Sequence, residues 1–229
     1  MLEVKNICKT YTGRRGNTVK ALSDVTFTLN AGDFVAVAGP SGCGKSTLLL
    51  LCGGLLSPTQ GRVILDGTDM YSLPAKQLAG IRSRHIGFVF QQFHLIPYLS
   101  LRDNILTASI ALPSTAPSSS ADNTDSDNTR VDLLLEKFNL QHRADHLPSE
   151  VSIGERQRTA LARAMLNEPE IILADEPTGN LDPDNSDIVL KTLAEFTESA
   201  GSVLMVTHDR TITSYATHLY RMQQGRITD

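Results

Sequence analysis

The sequence has 229 residues, enough for one large domain or two small ones. Its hydrophobic share of 41% is typical of a globular protein, and its net charge of −4 argues against binding nucleic acid through bulk positive charge. An odd number of thiols without a framework or metal-ligand spacing fits a reducing compartment, so we expect the cytosol for a chain with Cys8, Cys43 and Cys52.

The N-terminal residues and the apolar runs give no sign of a membrane segment. The opening MLEVKNICKTY carries charges at Glu3 and Lys5, so we expect neither a signal peptide nor an anchor. The apolar stretch of residues 48–52 is far too short to span a bilayer. For any action at a membrane we therefore expect another chain to supply the span.

Strand-like and helical runs alternate along the chain and predict an α/β fold with a largely parallel sheet. The predicted strands are residues 25–29, 34–38, 62–65, 86–90, 171–174 and 203–206. A helix is predicted over residues 45–56, stopped near the glycine pair at 53–54. Two amphipathic helices are predicted from helical spacing, the second with Pro183 in its first turn: Val131, Leu134, Leu135 and Phe138, then Ile188, Val189, Leu193 and Phe196.

Residues 113–129, PSTAPSSSADNTDSDNT, mark the clearest change in composition. They have almost no apolar side chains and are rich in Ser, Asp, Asn and Thr. Such a segment cannot bury enough surface to offset the entropy of ordering it. We predict a mobile surface loop, with a recognition tail as the alternative.

Residues 39–47, GPSGCGKST, fit the phosphate-loop pattern G-x-x-x-x-G-K-[ST] between a predicted strand and a predicted helix. Glycines let successive backbone N–H groups point at phosphate oxygens, and the helix N-terminus faces the same anion. Lys45 is predicted to reach the β- and γ-phosphates, and the Ser46 hydroxyl to ligate Mg²⁺. The predicted nucleotide site comprises Gly39, Pro40, Ser41, Gly42, Cys43, Gly44, Lys45, Ser46 and Thr47.

The predicted strand at residues 171–174 is followed by two acids, Asp175 and Glu176. Alone, such a pair is most often part of a solvated loop. After a phosphate loop, at the edge of a parallel sheet where ligands bind, it indicates a catalytic site. Asp175 is predicted to hold Mg²⁺, usually through water, and Glu176 to polarise the attacking water.

Residues 151–158, VSIGERQR, resemble the signature of ABC nucleotide-binding domains, usually LSGGQ or LSGGE followed by QQR. Gln91, residues 179–182 (GNLD) and residues 206–209 (VTHD) also occur in that family's order, so the likeness runs from about Tyr11 to Arg226. The resemblance implies a P-loop NTPase fold: a RecA-like core with a mainly parallel sheet, an N-terminal antiparallel part and an inserted helical subdomain. It implies one domain over residues 1–229, with the core at 1–90 and 159–229 and the helical subdomain at 91–158.

The resemblance also implies roles for single residues. Tyr11 would stack on adenine, unless it is ordinary packing at a strand end. Gln91 would sense Mg²⁺ and the γ-phosphate and link to the membrane partner. His208 would contact the γ-phosphate and hold the catalytic geometry. Asp182 would lie at the seam of a dimer.

The signature would bind the γ-phosphate of the opposite protomer through Ser152, Ile153, Gly154 and Glu155. Ser152 and Glu155 also fit a capping box, which is compatible because a capped helix start is itself an anion site. Ile153 stands where glycine is usual. It requires an ordinary negative φ or stored strain, and its side chain either points away or loosens the ATP sandwich.

The resemblance therefore implies an ATP- and Mg²⁺-dependent ATPase that forms an ATP-driven homodimer and powers a separate integral-membrane permease from the cytoplasmic face of the inner membrane. GFVFQQFHLIPYLSLRDNI and ADEPTGNLD look like the group of lipoprotein-release, macrolide-export and cell-division ATPases. An ABC ATPase acting on nucleic acid or ribosomes is the alternative, but the chain has neither a coiled-coil insertion nor a second cassette, and its charge is unfavourable. A kinase is disfavoured by the signature and by His208.

Overall fold

The computed structural model describes residues 1–13, 16–111, 120–208 and 214–228. Within these residues, strands β1 to β10 are Leu2–Thr12, Thr18–Leu29, Phe34–Ala38, Gln60–Leu65, Thr68–Asp69, Ile86–Val89, Ile171–Asp175, Ser202–Thr207, His218–Gln223 and Arg226–Thr228. Helices α1 to α6 are Lys45–Cys52, Ala75–His85, Leu101–Leu106, Ser120–Lys137, Ile153–Met165 and Pro183–Glu198. None of these helices combines the length and the apolar character that a bilayer crossing needs.

The strands form two sheets. The first is antiparallel, with the order β2-β1-β4-β5, and the second has the order β10-β9-β3-β8-β7-β6. In the second sheet, β9, β3, β8, β7 and β6 are parallel, and only β10 is antiparallel to its neighbour. The prediction of a mainly parallel sheet with an N-terminal antiparallel part is confirmed.

The parallel sheet is buried on both faces, and alternate residues of its strands face two different cores. In β3, Val35 and Val37 pack with α1 and the antiparallel sheet, whereas Phe34 and Ala36 pack with α3 to α6. A strand that is covered on both sides reads as a continuous apolar run. This is why the predicted strand at residues 34–38 matches β3 in full.

The sequence pattern missed β1, because irregular pairing interrupts its alternation. Leu2, Val4 and Ile7 are buried, but the register with β2 shifts between Val4 and Ile7, where Asn6 adopts a left-handed φ of 50°. A bulge adds one residue and so breaks the period of two.

The helix predicted over residues 45–56 ends earlier, at Cys52. Gly54 has a left-handed φ of 68°, and the N–H groups of Leu55 and Leu56 both donate to the Leu50 carbonyl, at 2.9 and 3.2 Å. The glycine pair therefore reverses the chain and satisfies the end of the helix, as glycine commonly does at this position.

The loop predicted over residues 113–129 is wrong for residues 120–129, which belong to α4, while residues 113–119 lie outside the described residues. The packed turns around Val131 and Leu135 supply a helix nucleus. Extending a formed helix costs far less than nucleating one, and residues 118–129 contain neither Pro nor Gly. Composition alone could not show this, because it ignores the neighbouring nucleus.

Helices α3, α4 and α5 form the insertion between β6 and β7 and pack on one another. The predicted boundary between residues 158 and 159 falls inside the continuous helix α5. This helix also packs against β6 of the parallel sheet, so it contacts both the insertion and the core.

Two leucines of α4 test its packing. Leu135 is 1% exposed and Leu133 is 61% exposed on the same helix. We expect Leu135→Ala to lower the free energy of unfolding by about 2–5 kcal/mol, because it leaves a cavity. Leu133→Ala should change it by no more than about 0.5 kcal/mol. Urea unfolding measures both, and equal effects would contradict the packing of this face.

Candidate functional site

Four groups of predicted site residues follow four neighbouring parallel strands. The phosphate loop follows β3, His208 follows β8, Glu176 follows β7, and Gln91 comes shortly after β6. Ligands bind at the carboxyl ends of such strands. The structure brings these groups together around one cavity of about 810 Å³, a volume within the usual range for small-molecule sites.

The backbone of the phosphate loop requires glycine at two positions. A Cβ on Gly39 would lie 2.3 Å from the Met222 carbonyl oxygen, and one on Gly44 would lie 2.4 Å from the Ala21 carbonyl oxygen. Gly44 also has a φ of 111°, which side-chain-bearing residues rarely adopt, and it immediately precedes α1. The loop is thus pressed against β9 and β2.

Lys45 is the first residue of α1, and its side chain is only 5% exposed. Its ammonium donates to the carbonyl oxygens of Gly39 at 2.8 Å and Pro40 at 3.2 Å, and it lies 3.8 Å from Glu176 Oε1. A nearly buried cation at the start of a helix is suited to an anionic ligand.

Glu176 adopts a left-handed φ of 45°, a strained conformation for a residue with a side chain. Its N–H donates to the Val206 carbonyl at 2.9 Å, and its Oε2 lies 2.9 Å from Nδ1 of His208. The carboxylate is therefore oriented between the Lys45 ammonium and the His208 imidazole. A carboxylate held in this way is a candidate general base.

Asp175 is the last residue of β7, and its carboxylate accepts a hydrogen bond from Ser46 Oγ at 3.2 Å. Burial raises the pKa of Asp175, the neighbouring Glu176 also raises it, and the Ser46 hydrogen bond and the Lys45 charge oppose them. The two predicted metal ligands, Ser46 and Asp175, thus place a hydroxyl and a carboxylate oxygen side by side.

The cavity also has walls that the sequence pattern did not reveal. Val19, Lys20 and Ala21 of β2 line it from one side, and Gln224 and Gly225 of the β9–β10 turn line it as well. Gly225 N–H donates to the Cys43 carbonyl at 2.9 Å and so ties this turn to the phosphate loop. Nothing in the sequence around β2 marks it as a site, because its contribution arises from the packing of one sheet on the other.

Tyr11 lies at the end of β1, and its ring is 42% exposed. Its hydroxyl oxygen is 3.5 Å from Thr47 Oγ1, and the Lys9 ammonium lies 5.3 Å from the ring centroid. The predicted stacking residue is therefore next to the end of the phosphate loop, although it does not line the cavity itself.

Gln91 lines the cavity, and the loop that holds it, residues 90–94, is here called the Gln91 loop. Its side-chain amide faces Gly179, where an added Cβ would lie 3.4 Å from Nε2. The Asn180 side chain donates to the Gln91 carbonyl at 3.1 Å. The segment after β7 therefore fixes the backbone of Gln91.

The signature residues Ser152, Ile153, Gly154 and Glu155 do not line this cavity. The predicted capping box is confirmed: Ser152 Oγ accepts from the Glu155 N–H at 3.2 Å, and Glu155 Oε2 accepts from the Ser152 N–H at 2.7 Å. Burial raises the pKa of Glu155, but the hydrogen bonds from Ser152 and the Arg143 charge lower it overall. The capping box therefore fixes the start of α5 outside this cavity.

Ile153 is the first residue of α5 and has no left-handed φ. Of the two predicted alternatives, an ordinary backbone is confirmed and stored strain is wrong. The side chain is 36% exposed. Its effect on an ATP sandwich stays a prediction.

Gly154 and Asp182 are joined through Asn185, which the sequence analysis did not single out. Asp182 caps α6 and accepts from the Asn185 N–H at 2.9 Å and from its amide at 2.7 Å, which lowers the pKa of Asp182. Asn185 Oδ1 accepts from Arg158 at 2.9 Å. A Cβ on Gly154 would lie 2.3 Å from that oxygen, so glycine is needed here for close packing.

Comparisons with known proteins show which family this chain resembles. The family described as ABC transporter matches residues 22–179. The chain is 40% identical over 230 residues to the macrolide export ATP-binding/permease protein MacB of Chlorobaculum tepidum, and it spans 34% of the length of that relative.

Solved structures are similar over the whole chain. Two dimeric structures of the ABC transporter cassette MJ0796, one of them in a post-hydrolysis state bound to ADP and Pi, have 35% identity and TM-scores of 0.90 and 0.89, covering 100% of this chain and 97% of theirs. CbiO1 of Clostridium perfringens, part of the ABC transporter complex cbiONQ, has 28% identity and a TM-score of 0.81, covering 100% of this chain and 86% of its own. The chain therefore belongs to the ABC transporter family and carries its ATPase cassette, with the P-loop NTPase fold.

The contact between Gly154 and Asn185 can be tested by rescue. We expect Gly154→Ala to lower the free energy of unfolding by about 1–3 kcal/mol, because the new methyl group overlaps the amide. In an Asn185→Ala background the same change should be neutral or stabilising, since alanine is the better helix former. Urea unfolding of the four proteins measures this, and additive losses would contradict the packing role of Gly154.

Proposed function

We propose that this cassette is the ATP-hydrolysing motor of a membrane transporter or mechanotransmission complex. One observation carries the proposal: the Glu176 carboxylate lies 3.8 Å from the Lys45 ammonium and 2.9 Å from Nδ1 of His208. All three side chains line one cavity together with the phosphate loop. This is the set of groups that phosphoryl transfer from ATP to water needs.

The phosphate loop binds the β- and γ-phosphates through backbone N–H groups and the N-terminus of α1. Lys45 exchanges its bonds to the Gly39 and Pro40 carbonyls for phosphate oxygens. Tyr11, beside Thr47, is placed to stack on the base, and the base is then the part of the ligand nearest β1. Binding thus rests on groups that the fold already holds in place.

The donor set fits Mg²⁺, which prefers hard oxygen ligands and keeps several waters. Ser46 Oγ and Asp175 Oδ1, 3.2 Å apart, are two such oxygens that would hold it, and the side-chain oxygen of Gln91, which lines the same cavity as Ser46, would be a third. When bound, Mg²⁺ supplies charge neutralisation to the phosphate oxygens. Asp175 and Ser46 then orient the nucleotide relative to Glu176.

Glu176 acts as the general base that takes a proton from the attacking water. His208 contributes by holding Oε2 of that carboxylate, which leaves Oε1 directed towards Lys45 and the phosphate side. Proton transfer by a positioned side chain contributes about 10²–10⁴-fold to a rate.

Two chains are proposed to close on two ATP molecules, with the signature of each facing the phosphates of the other. Two findings support this arrangement. Ser152 and Gly154 start a capped helix that does not line the cavity of their own chain. The similar cassette MJ0796 is dimeric in both solved structures.

The membrane partner is proposed from the relatives. MacB is named an ATP-binding/permease protein, and cbiO1 is part of the ABC transporter complex cbiONQ. Export, lipoprotein release and mechanotransmission are the processes that the likeness favours. We place the chain on the cytoplasmic face of the inner membrane, docked on its permease.

Glu176→Gln keeps the shape of the side chain but removes the base. We expect it to bind ATP like the parent and to hydrolyse it about 10²–10⁴-fold more slowly. Phosphate release and nucleotide-binding titrations measure the two properties. Glu170→Gln is the control. Glu170 is an exposed acid just before β7 that pairs with His85, so this variant should keep the parent rate. A Glu176→Gln variant with the parent rate would show that Glu176 is not the base.

ATP should drive dimerisation of Glu176→Gln, because each site gains its missing phosphate contacts from the second chain. On size-exclusion chromatography we expect the 24.9 kDa chain to shift towards twice its mass with ATP and not with ADP. Adding Ser152→Phe should abolish the shift by blocking the helix start. If ATP leaves the elution unchanged, the proposed contact of the signature with the opposite site is wrong.

A further inference from the structure

The Gln91 loop is held by hydrogen bonds from two different parts of the fold. Asn180 holds the Gln91 carbonyl from the segment after β7. Arg163, near the end of α5, donates to the Phe93 carbonyl at 2.6 Å through Nη2 and to the His94 carbonyl at 2.7 Å through Nη1. Because both donors belong to one planar guanidinium, they fix the distance and the orientation of two successive peptide groups.

The backbone that Arg163 holds is strained. Phe93 and His94 are consecutive non-glycine residues with left-handed φ values of 59° and 48°. Such conformations persist only where the surroundings over-determine them, and they cluster at functional sites. The turn is held locally by hydrogen bonds from the Phe93 N–H to the Phe90 carbonyl, at 3.1 Å, and from the His94 N–H to the Gln92 carbonyl, at 2.5 Å. The guanidinium adds two hydrogen bonds from another element of the fold.

Arg163 occupies this position at a cost in hydration. It is partly buried, and burial lowers its pKa. Among the residues that the structure describes, it forms no ion pair with an acid. Removing a charge from water without a counter-charge is unfavourable, and an apolar side chain would fill the space more cheaply. The two hydrogen bonds from Arg163 to the loop carbonyls offset this unfavourable burial, and they also fix the backbone of the loop.

We infer that Arg163 is a positioning residue for ATP hydrolysis, which couples α5 to the active site by fixing the Gln91 loop. The same helix begins at the signature residues Ser152 to Gly154, ten residues before Arg163, so one rigid element touches both. The inference rests on the proposed role of Gln91 at the γ-phosphate. The guanidinium of Arg163 is then the group that connects the signature helix to the loop of Gln91.

Arg163→Met removes both hydrogen bonds and keeps most of the apolar stem. We expect kcat for ATP hydrolysis to fall about 10- to 100-fold, because a small misplacement of a catalytic group has effects of this size. The KM for ATP should stay within about twofold, since the phosphate loop is untouched. Arg82→Met is the matched control. Arg82 lines a second cavity of about 530 Å³ together with Arg163, but its guanidinium donates to the Gly54 carbonyl, at 3.1 Å, and not to the carbonyls of Phe93 and His94. It should keep the parent kcat.

A double-mutant cycle with Gln91→Ala separates positioning from general structural damage. If Arg163 acts through Gln91, adding Arg163→Met to Gln91→Ala should change kcat by less than about twofold, whereas independent effects would multiply. Thermal unfolding of each variant is measured alongside. If the methionine variant does not fold, Arg163→Lys replaces it, because lysine keeps the charge but lacks the two parallel donors of the guanidinium. Its combination with Gln91→Ala should also change kcat by less than about twofold.

Three results would overturn the inference: a parent kcat for Arg163→Met, a loss equal to that of Arg82→Met, or multiplicative losses in the cycle. A parent kcat for Gln91→Ala would overturn it together with the proposed role of Gln91. A full loss in Glu176→Gln and in Gln91→Ala with no loss in Arg163→Met would leave the proposed function standing and reject only the link.

Discussion

The active site depends on the in-register pairing of parallel strands. Ala38 at the end of β3 pairs with Thr207 of β8, Asp175 at the end of β7 pairs with Val206, and Val89 at the end of β6 pairs with Ala174. The strands therefore stop at nearly the same level. The residues that follow them share one edge, so groups more than a hundred residues apart, such as Lys45 and Glu176, come within 3.8 Å.

At this edge the chain repeatedly adopts conformations that cost free energy. Gly44 and the non-glycine residues Glu176, Phe93 and His94 all have left-handed φ values. Each non-glycine case costs about 1–3 kcal/mol and has to be stabilised by its surroundings. Glu176 is held by a hydrogen bond to β8, and the Phe93 and His94 carbonyls are held by Arg163. The apolar side chains that the sheet buries on both of its faces supply the rigid frame that makes this possible.

Helix α5 joins the features that lie outside the cavity. Its capping box fixes Ser152, its second residue Gly154 packs on Asn185, and its later turns hold two loops through arginines. Arg158 donates to the Phe138 carbonyl and to Asn185, and Arg163 reaches the Gln91 loop. One helix therefore contacts both Asn185, which is bonded to Asp182, and the Gln91 loop.

The sequence by itself determined the buried strands, the phosphate loop, the acid pair and the capped start of α5. These depend on local patterns: continuous apolar runs, glycines at fixed spacing, and a Ser and a Glu three residues apart. It did not determine β1, where a bulge breaks the alternation, or the helical state of residues 120–129, where a neighbouring nucleus overrides composition. The walls of the cavity from β2 and the β9–β10 turn, the contact of Gly154 with Asn185 and the hydrogen bonds of Arg163 were decided only by the tertiary structure. These contacts join residues that are distant in the chain, and no local pattern records which side chains the packing of two sheets and a helical insertion will bring together.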